Sequence, residues 1–195
     1  MPVMSVPVIL ITGPVGVGKS SVLGEIQGLL KGAGMRFATV DLDALSYCYP
    51  PTRGDDRFRT KLTFRNLAAV WRNFRAAGAE RLVLAQVLES RAELVRYRRA
   101  VPGAEMTVVR LRASVPTLRE RIDRREVGLG RTWHRRRAVE LARIMDRTPV
   151  EDLLVETDGR RVNPIAREIL RRTGWLATER PRAPAGPRLS SRTAP

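Results

Sequence analysis

The chain has 195 residues, and its 36 Lys and Arg residues outnumber its 20 Asp and Glu residues, so the formal net charge is +16. A hydrophobic fraction of 43% suffices for a folded core and excludes full disorder. Single Cys and His residues exclude an internal disulfide and a Cys/His zinc site. The charge predicts an anionic partner without distinguishing nucleotides, nucleic acid and a membrane surface.

No segment of the sequence predicts insertion into a membrane or export. The longest apolar run, residues 6–12, is far shorter than the ~20 residues that span a bilayer. No basic region precedes that run and no small-residue cleavage site follows it, which argues against a signal peptide. We therefore expect a cytoplasmic protein without a membrane partner.

Apolar runs and segments with helical spacing alternate along the chain, separated by Gly and Pro. In chain order they predict strand 6–12, helix 19–30, strand 37–42, loop 49–58, helix 62–77, strand 81–88, helix 91–100, strand 106–111, helix 114–125, loop 127–132, helix 133–146, strand 153–157 and helix 163–172. This order is typical of a three-layer α/β/α sandwich with a five-stranded parallel sheet. We expect one domain, residues 1–176, and a disordered tail rich in Pro, Arg and Ser, residues 177–195.

Some side chains that could carry chemistry are better explained by packing or by surface positions. The aromatic residues Trp71, Phe74 and Trp133 are interpreted as core residues and not as residues that stack on a ligand. Cys48 has no neighbouring base in the sequence and is interpreted as structural. His134 has no assignable partner and is interpreted as a surface or lid residue.

The segment between the first strand and the first helix matches the pattern G-x-x-x-x-G-K-[ST] in full. The backbone amides of such a loop cradle phosphates, because a helix N-terminus attracts anions and glycine lets the backbone approach closely. Lys19 would reach the β- and γ-phosphates of a nucleotide, and Ser20 would bind Mg²⁺. A glycine-rich turn without a ligand is the alternative. The predicted nucleotide-binding residues are Gly13, Pro14, Val15, Gly16, Val17, Gly18, Lys19, Ser20 and Ser21.

This motif in this position resembles the small-molecule branch of the P-loop kinases, which includes shikimate kinase, gluconate kinase, adenylylsulfate kinase and chloramphenicol phosphotransferase. The resemblance covers about residues 6–173 and rests on the phosphate loop, an acidic pair after the second strand and an arginine-rich helix after the fourth. It implies ATP and Mg²⁺, and a short arginine-rich lid at about residues 124–137. The GTPase pattern N-K-x-D is absent from the sequence, and the short chain argues against the larger AAA-type machines.

The acidic pair, Asp41 and Asp43, ends the second predicted strand. Alternation along a strand would put both carboxylates on one side, and the resemblance implies that Asp41 contacts the metal and that Asp43 is the base for the acceptor hydroxyl. A helix N-cap is the alternative, since Asp43 precedes an Ala-Leu pair. No acid ends the third strand, where Gln86 stands. Glu89 follows it and could face the acceptor or simply begin a surface helix.

Two arginines in the helix after the fourth strand resemble the R-I-x-x-R lid helix of nucleotide kinases. Arg121 and Arg125 are four residues apart and share one helical face. The resemblance implies that Arg121 stacks on adenine and that Arg125 neutralises phosphate charge in the transition state. Gly128 and Gly130 would let the following segment move. A solvated basic helix face is the alternative.

The loop after the acidic pair is the predicted acceptor pocket, because the resembled kinases use this part of the chain for the acceptor. Arg53 and Arg57 could bind an anionic group, and Asp55 and Asp56 could bind hydroxyl or amine groups. A generic polar loop is the alternative.

Together these features predict a Mg²⁺-dependent phosphotransferase that moves the γ-phosphoryl group of ATP to a hydroxyl of a small molecule, as a monomer or homodimer. The predicted catalytic residues are Lys19, Asp43 and Arg125. A 5′-hydroxyl polynucleotide kinase is an alternative, although part of the excess charge lies in residues 119–137, next to the predicted phosphate site. The missing acid after the third strand also leaves open a non-catalytic ATP-binding regulator.

Overall fold

The computed structural model describes residues 5–49 and 59–176. In them, five strands form one parallel sheet in the order β2-β3-β1-β4-β5. The strands are β1 (Val6–Thr12), β2 (Phe37–Asp41), β3 (Arg81–Ala85), β4 (Ala104–Arg112) and β5 (Leu153–Glu156). Because β1 is the central strand, the loop that follows it opens at the middle of the carboxyl edge of the sheet, where ligands bind in open α/β folds.

Seven α-helices lie within the same residues, and most of them connect consecutive strands. They are α1 (Lys19–Gly32), α2 (Leu42–Ser46), α3 (Thr60–Ala76), α4 (Leu94–Ala100), α5 (Val115–Arg125), α6 (Leu129–Arg147) and α7 (Val162–Arg172). Ser114 caps α5 by accepting a hydrogen bond from the backbone N–H of Thr117 at 3.4 Å. The parallel sheet and its flanking helices confirm the predicted sandwich.

Alternate residues of β1 pack on opposite faces of the sheet, as the pleat of a strand requires. Ile9 and Ile11 belong to one core, which α1, α5 and α7 close. Val8 and Leu10 belong to the other core, which α3 and α4 close. All four residues are at most 1% exposed, so the strand that leads into the phosphate loop is held firmly from both sides.

The segment after α5 differs from the predicted loop over residues 127–132, because α6 already begins at Leu129. Gly128 has a φ of 75°, whereas Gly130 lies within the helix. One glycine costs a helix only about 1 kcal/mol relative to alanine. The burial of Ala138 and Leu141 further along α6 outweighs that cost.

Two aromatic residues that the sequence assigned to the core lie at the surface. Trp71 is 4% exposed and is a core residue, but Trp133 is 51% exposed and Phe74 is 36% exposed. Trp133 lies five residues before the buried Ala138, which places it about 140° away around α6. Cys48, interpreted as structural, is also exposed.

Strand β3 ends at Ala85, three residues earlier than predicted. The backbone N–H of Gln86 donates to the carbonyl of Ile11 at 3.1 Å, and that of Leu88 donates to Thr12 Oγ1 at 2.8 Å. The chain therefore turns across the end of β1 and carries Gln86 next to the phosphate loop.

No helix among the described residues is long and apolar enough to cross a membrane. The predicted tail and the loop residues Arg53, Asp55, Asp56 and Arg57 lie outside the described residues.

Candidate active site

The phosphate loop, residues 13–20, has a backbone that only glycine accommodates at its crowded points. Gly13 and Gly16 have φ values of 142° and 84°, a region that other residues rarely adopt. A Cβ on Gly16 would lie 2.8 Å from Ile122 Cγ1, and one on Gly13 would lie 2.5 Å from the carbonyl oxygen of Leu111. The glycines therefore let the loop pack directly against β4 and α5.

Lys19, the first residue of α1, folds back over this loop. Its Nζ donates hydrogen bonds to the carbonyls of Gly13 at 3.0 Å and Pro14 at 3.2 Å. Burial lowers the pKa of Lys19 to about 8, even though the carboxylates of Asp43 and Asp41 act in the opposite direction. The positive charge of Arg125 adds to the lowering. Lys19 therefore interacts electrostatically with three other predicted site residues, which are Asp41, Asp43 and Arg125.

Asp41, the last residue of β2, contacts the other polar residue of the phosphate loop. Ser20 Oγ donates to Asp41 Oδ2 at 2.5 Å, and Asp41 Oδ1 accepts the backbone N–H of Asp43 at 3.2 Å. Asp41 is therefore the N-cap of α2, the role that the sequence offered as the alternative for Asp43. One side chain caps a helix and presents oxygen beside Ser20.

The oxygen atoms of Ser20 and Asp41 fit the ligand chemistry of Mg²⁺, which prefers hard oxygen ligands and binds through one or two carboxylates together with phosphates and water. Among residues 5–49 and 59–176, no group of three or more His, Cys, Asp or Glu side chains could hold a metal by itself. A magnesium ion bound here would share its coordination with the phosphates of a nucleotide, as the chemistry of the ion favours.

Asp43 lies in the first turn of α2 and lines an open cleft of about 810 Å³ beside the phosphate loop. Its carboxylate accepts no hydrogen bond from any residue in the described part of the chain. Desolvation and the neighbouring Asp41 carboxylate raise the pKa of Asp43, against the opposing effects of Lys19, Arg125 and His134. A carboxylate with a raised pKa and no bound donor is suited to accept a proton from a ligand.

The walls of this cleft come from helices α3, α4 and α6. Phe64 and Tyr97 pack edge to face on one side, with ring centroids 4.8 Å apart. Trp133 and His134 form a second edge-to-face pair at 4.9 Å. Glu89, a predicted acceptor residue, also lines the cleft, where its carboxylate binds Arg137.

Arg121 ties α5 to the phosphate loop and to the loop after β5. Its guanidinium donates to the carbonyl of Val17 at 3.0 Å, to Thr157 Oγ1 at 3.1 Å and to the carbonyl of Thr157 at 2.9 Å. The helical spacing predicted that Arg121 and Arg125 share one face of α5, but it did not predict these hydrogen-bond partners of Arg121. Its stacking on adenine stays a prediction.

Arg125 binds a residue that the sequence did not single out. Glu126 Oε1 accepts hydrogen bonds from Arg125 Nε at 3.1 Å and Nη2 at 2.5 Å, and its other oxygen contacts Nδ1 of His134. Desolvation raises the pKa of Glu126, but its hydrogen bonds with Arg125 and His134 prevail and lower it. His134, for which the sequence offered no partner, is therefore linked to Arg125 through one carboxylate.

Comparison with known proteins gives a family match over most of the chain. The family model for the AAA domain matches residues 9–144, which include the phosphate loop, both acidic residues and α5. No curated protein sequence matches the chain.

Solved structures of two kinases and of a tunicamycin resistance protein share the fold. A gluconokinase from Sinorhizobium meliloti 1021 has 23% sequence identity and a TM-score of 0.56 over 88% of this chain and 93% of that chain. The APS kinase of Mycobacterium tuberculosis, solved with AMPPNP and APS, has 22% identity and a TM-score of 0.55 over 87% of this chain and 97% of that one. The tunicamycin resistance protein of Deinococcus radiodurans has 20% identity and a TM-score of 0.55 over 87% and 96%. At these identities the likeness establishes the fold.

Proposed function

Because the chain belongs to the AAA domain family of P-loop NTPases, we propose that it transfers the γ-phosphoryl group of ATP to a hydroxyl group of a small molecule. The family name is shared with large AAA-type machines. The likeness in fold to a gluconokinase and an APS kinase supports the smaller, phosphoryl-transferring kind of protein.

The observation that carries the proposal is the position of Asp43. Its carboxylate faces a cleft of about 810 Å³ and interacts electrostatically with Lys19 of the phosphate loop. A phosphoryl group held by the loop and a hydroxyl group held in the cleft would therefore meet between these two side chains. Phosphoryl transfer requires mainly this kind of positioning and charge neutralisation.

In the proposed reaction the acceptor hydroxyl attacks the γ-phosphorus of ATP. A new P–O bond forms to the hydroxyl oxygen, the bond between the γ-phosphorus and the bridging oxygen breaks, and ADP leaves. Asp43 accepts the hydroxyl proton, for which its raised pKa suits it. Lys19 and Arg125 offset the negative charge on the transferring group.

Ser20 and Asp41 are the residues that would hold Mg²⁺, which would neutralise phosphate charge when bound. Asp41 in this position supplies the carboxylate that the end of β3 lacks, since Gln86 stands there. This supports an active enzyme over the non-catalytic alternative.

The test uses two variants of the full chain, with ATP binding and phosphate transfer measured separately on a panel of hydroxylated metabolites. We expect Lys19→Ala to stay folded and lose nearly all transfer. Asp43→Asn should retain ATP affinity and lower transfer by about 10²- to 10⁴-fold. If Asp43→Asn instead abolishes ATP binding, Asp43 belongs to the metal site. ATP binding by the wild-type protein without transfer to any acceptor would identify a regulator.

One observation favours the polynucleotide alternative. A groove of about 880 Å³ between α5 and α6 is rich in arginine, and those that line it are Arg119, Arg135, Arg136, Arg143 and Arg147. A nucleic-acid backbone bound there would show affinity that falls steeply with salt. Phosphorylation of oligonucleotides with a free 5′-hydroxyl, with that salt dependence, would support this function.

A further inference from the structure

The cleft beside Asp43 has aromatic side chains on more than one wall. Phe64 on α3 and Tyr97 on α4 line it from one pair of helices, and Trp133 lines it from α6. Trp133 is 51% exposed even though it belongs to the cleft, so much of its ring is available to a ligand. The indole also contacts the His134 ring edge to face, at a centroid distance of 4.9 Å. Exposed aromatic faces of this kind stack well on planar rings.

A second, independent feature is the side chain of Gln86, which lines the same cleft. Its Oε1 atom is fully buried and has no hydrogen-bond partner among the described residues. A buried polar atom without a partner is costly, and a rotation of the Gln86 amide toward a ligand that donates a hydrogen bond removes that cost. An amide presents one acceptor and one donor side by side, which matches the hydrogen-bonding edge of a nucleobase.

Two hydrogen-bond acceptors of the cleft lack a donor among the described residues, whereas its arginines have partners there, so the cleft favours a ligand that donates hydrogen bonds. Each of the three arginines that line the cleft already has a partner within the described chain. The pairs are Arg59 with the backbone oxygen of Ser46 (3.1 Å), Arg96 with Glu93 (3.7 Å), and Arg137 with Glu89 and Glu140. The Asp43 carboxylate and the Gln86 amide oxygen, by contrast, both lack a donor in those residues.

We propose that the acceptor is a nucleoside, bound with a sugar hydroxyl toward Asp43, its base against Trp133 and the hydrogen-bonding edge of the base against Gln86. This inference rests on the proposed phosphotransferase function and gives it a substrate class. It also assigns Gln86 and Trp133 as residues that determine specificity. The phosphorylated product is a nucleoside monophosphate, formed with ADP.

The first experiment compares acceptors with the full-length protein and MgATP. The panel contains the common ribo- and deoxyribonucleosides, gluconate and shikimate as non-planar anionic alcohols, and an oligonucleotide with a free 5′-hydroxyl. We expect a nucleoside to be phosphorylated with a kcat/KM at least 10-fold above that of either sugar acid. Transfer to the sugar acids but not to nucleosides overturns the inference and leaves the phosphotransferase function standing. Transfer to the oligonucleotide alone also overturns it, and transfer to nothing overturns both.

The second experiment tests the two residues. Trp133→Ala should raise the KM for the nucleoside by about 10-fold, with Trp133→Phe close to wild type, because stacking requires only an aromatic face. Gln86→Glu, which replaces an amide donor with a second acceptor, should change the preference among bases. The affinity for ATP should stay unchanged in the two Trp133 variants.

A binding measurement serves as a readout that does not depend on turnover. A nucleoside should quench the tryptophan fluorescence of the wild-type protein and of Asp43→Asn, but not of Trp133→Phe. Of the two other tryptophans, Trp71 is buried in the core, and Trp175 packs against the core of α1, α5 and α7 and does not line the cleft. Equal quenching in Trp133→Phe would show that the base does not lie against Trp133, and would overturn the proposed binding mode.

Discussion

Ser20 and Asp41 are joined by a hydrogen bond of 2.5 Å that connects the start of α1 to the end of β2. The same carboxylate caps α2, the short helix that carries Asp43. The Asp41 side chain thus contributes an oxygen to the candidate metal position and also holds the helix that carries the candidate base. Changes at Asp41 should separate the two roles, because the cap depends on a polar side chain and the metal depends on negative charge.

Asp41→Asn should weaken Mg²⁺ binding to the nucleotide complex by about 10- to 100-fold while leaving the protein as stable as the wild type. Asparagine is as good an N-cap as aspartate, but its amide is uncharged. Asp41→Ala should lose both functions and also about 0.5–2 kcal/mol of unfolding free energy. Calorimetric titration with Mg²⁺ and thermal unfolding measure the two effects. Equal Mg²⁺ affinity in wild type and Asp41→Asn would remove Asp41 from the metal site.

Lys19 should take up a proton when phosphates bind near pH 8. The pKa of Lys19 is lowered to about 8 in the protein without nucleotide, so the side chain is neutral in about half of the molecules at that pH. A bound polyphosphate favours the charged form of the side chain. We expect an uptake of about 0.5 proton per site at pH 8 and almost none at pH 6.5, measured by calorimetry in buffers of different ionisation enthalpy. In Lys19→Arg the guanidinium stays charged, so the uptake should vanish.

The same pKa predicts how the stability of the nucleotide-free protein varies with pH. The unfolded chain, where lysine has its ordinary pKa of 10.5, binds more protons than the folded one between pH 8 and 10.5. The contribution of Lys19 to the unfolding free energy therefore rises with pH across that window. Denaturant titrations at several pH values should show that the unfolding free energy of the wild type rises more steeply with pH than that of Lys19→Met. Parallel plots of unfolding free energy against pH for the two proteins would contradict this prediction.

Arg125→Gln should lower transfer by about 10²- to 10³-fold and change ATP affinity much less, because its charge acts chiefly on the transferring group. It should also raise the pKa of Lys19, since Arg125 contributes to lowering it. The pH at which proton uptake is half-maximal would then move upward. Arg124→Gln is the matched control, because Arg124 is exposed and binds Glu120 instead.

Three glycine-to-alanine changes separate steric contact from backbone strain. Gly16→Ala combines a φ of 84° with a Cβ 2.8 Å from Ile122, and should cost about 1–3 kcal/mol of stability. Gly18→Ala has a φ of 104° without a close neighbour, so it should cost less. Gly24→Ala, in open space within α1, should stabilise the protein by about 0.4–1 kcal/mol. A higher melting temperature for Gly16→Ala than for Gly24→Ala in thermal unfolding would refute the packing argument.

The strand into the phosphate loop could be predicted to the residue, because local patterns specify it. An apolar run followed by a complete motif marks β1 over Val6–Thr12. The prediction for the acidic pair had a weaker basis. Strand alternation would have aligned Asp41 and Asp43, but β2 ends at Asp41 and a turn of α2 positions Asp43 instead.

Contacts between distant segments left no periodic signal in the sequence. Arg121 meets Thr157, 36 residues away, and Arg137 meets Glu89, 48 residues away. The link between Glu126 and His134 spans the residues predicted as a loop, 127–132, of which the structure places 129–132 in α6. Such pairs depend on how helices pack on the sheet, which composition and spacing do not encode.

The attachment of α5 to the phosphate loop has a mechanical consequence. Arg121 bonds to Val17 and to Thr157, and Ile122 packs on Gly16, so α5 and the loop form one rigid unit. Any hinge that swings α6 must lie after Arg125. We therefore expect the backbone of Arg125 to keep its place beside the phosphate loop throughout a catalytic cycle, so that its guanidinium has only to exchange Glu126 for the phosphates.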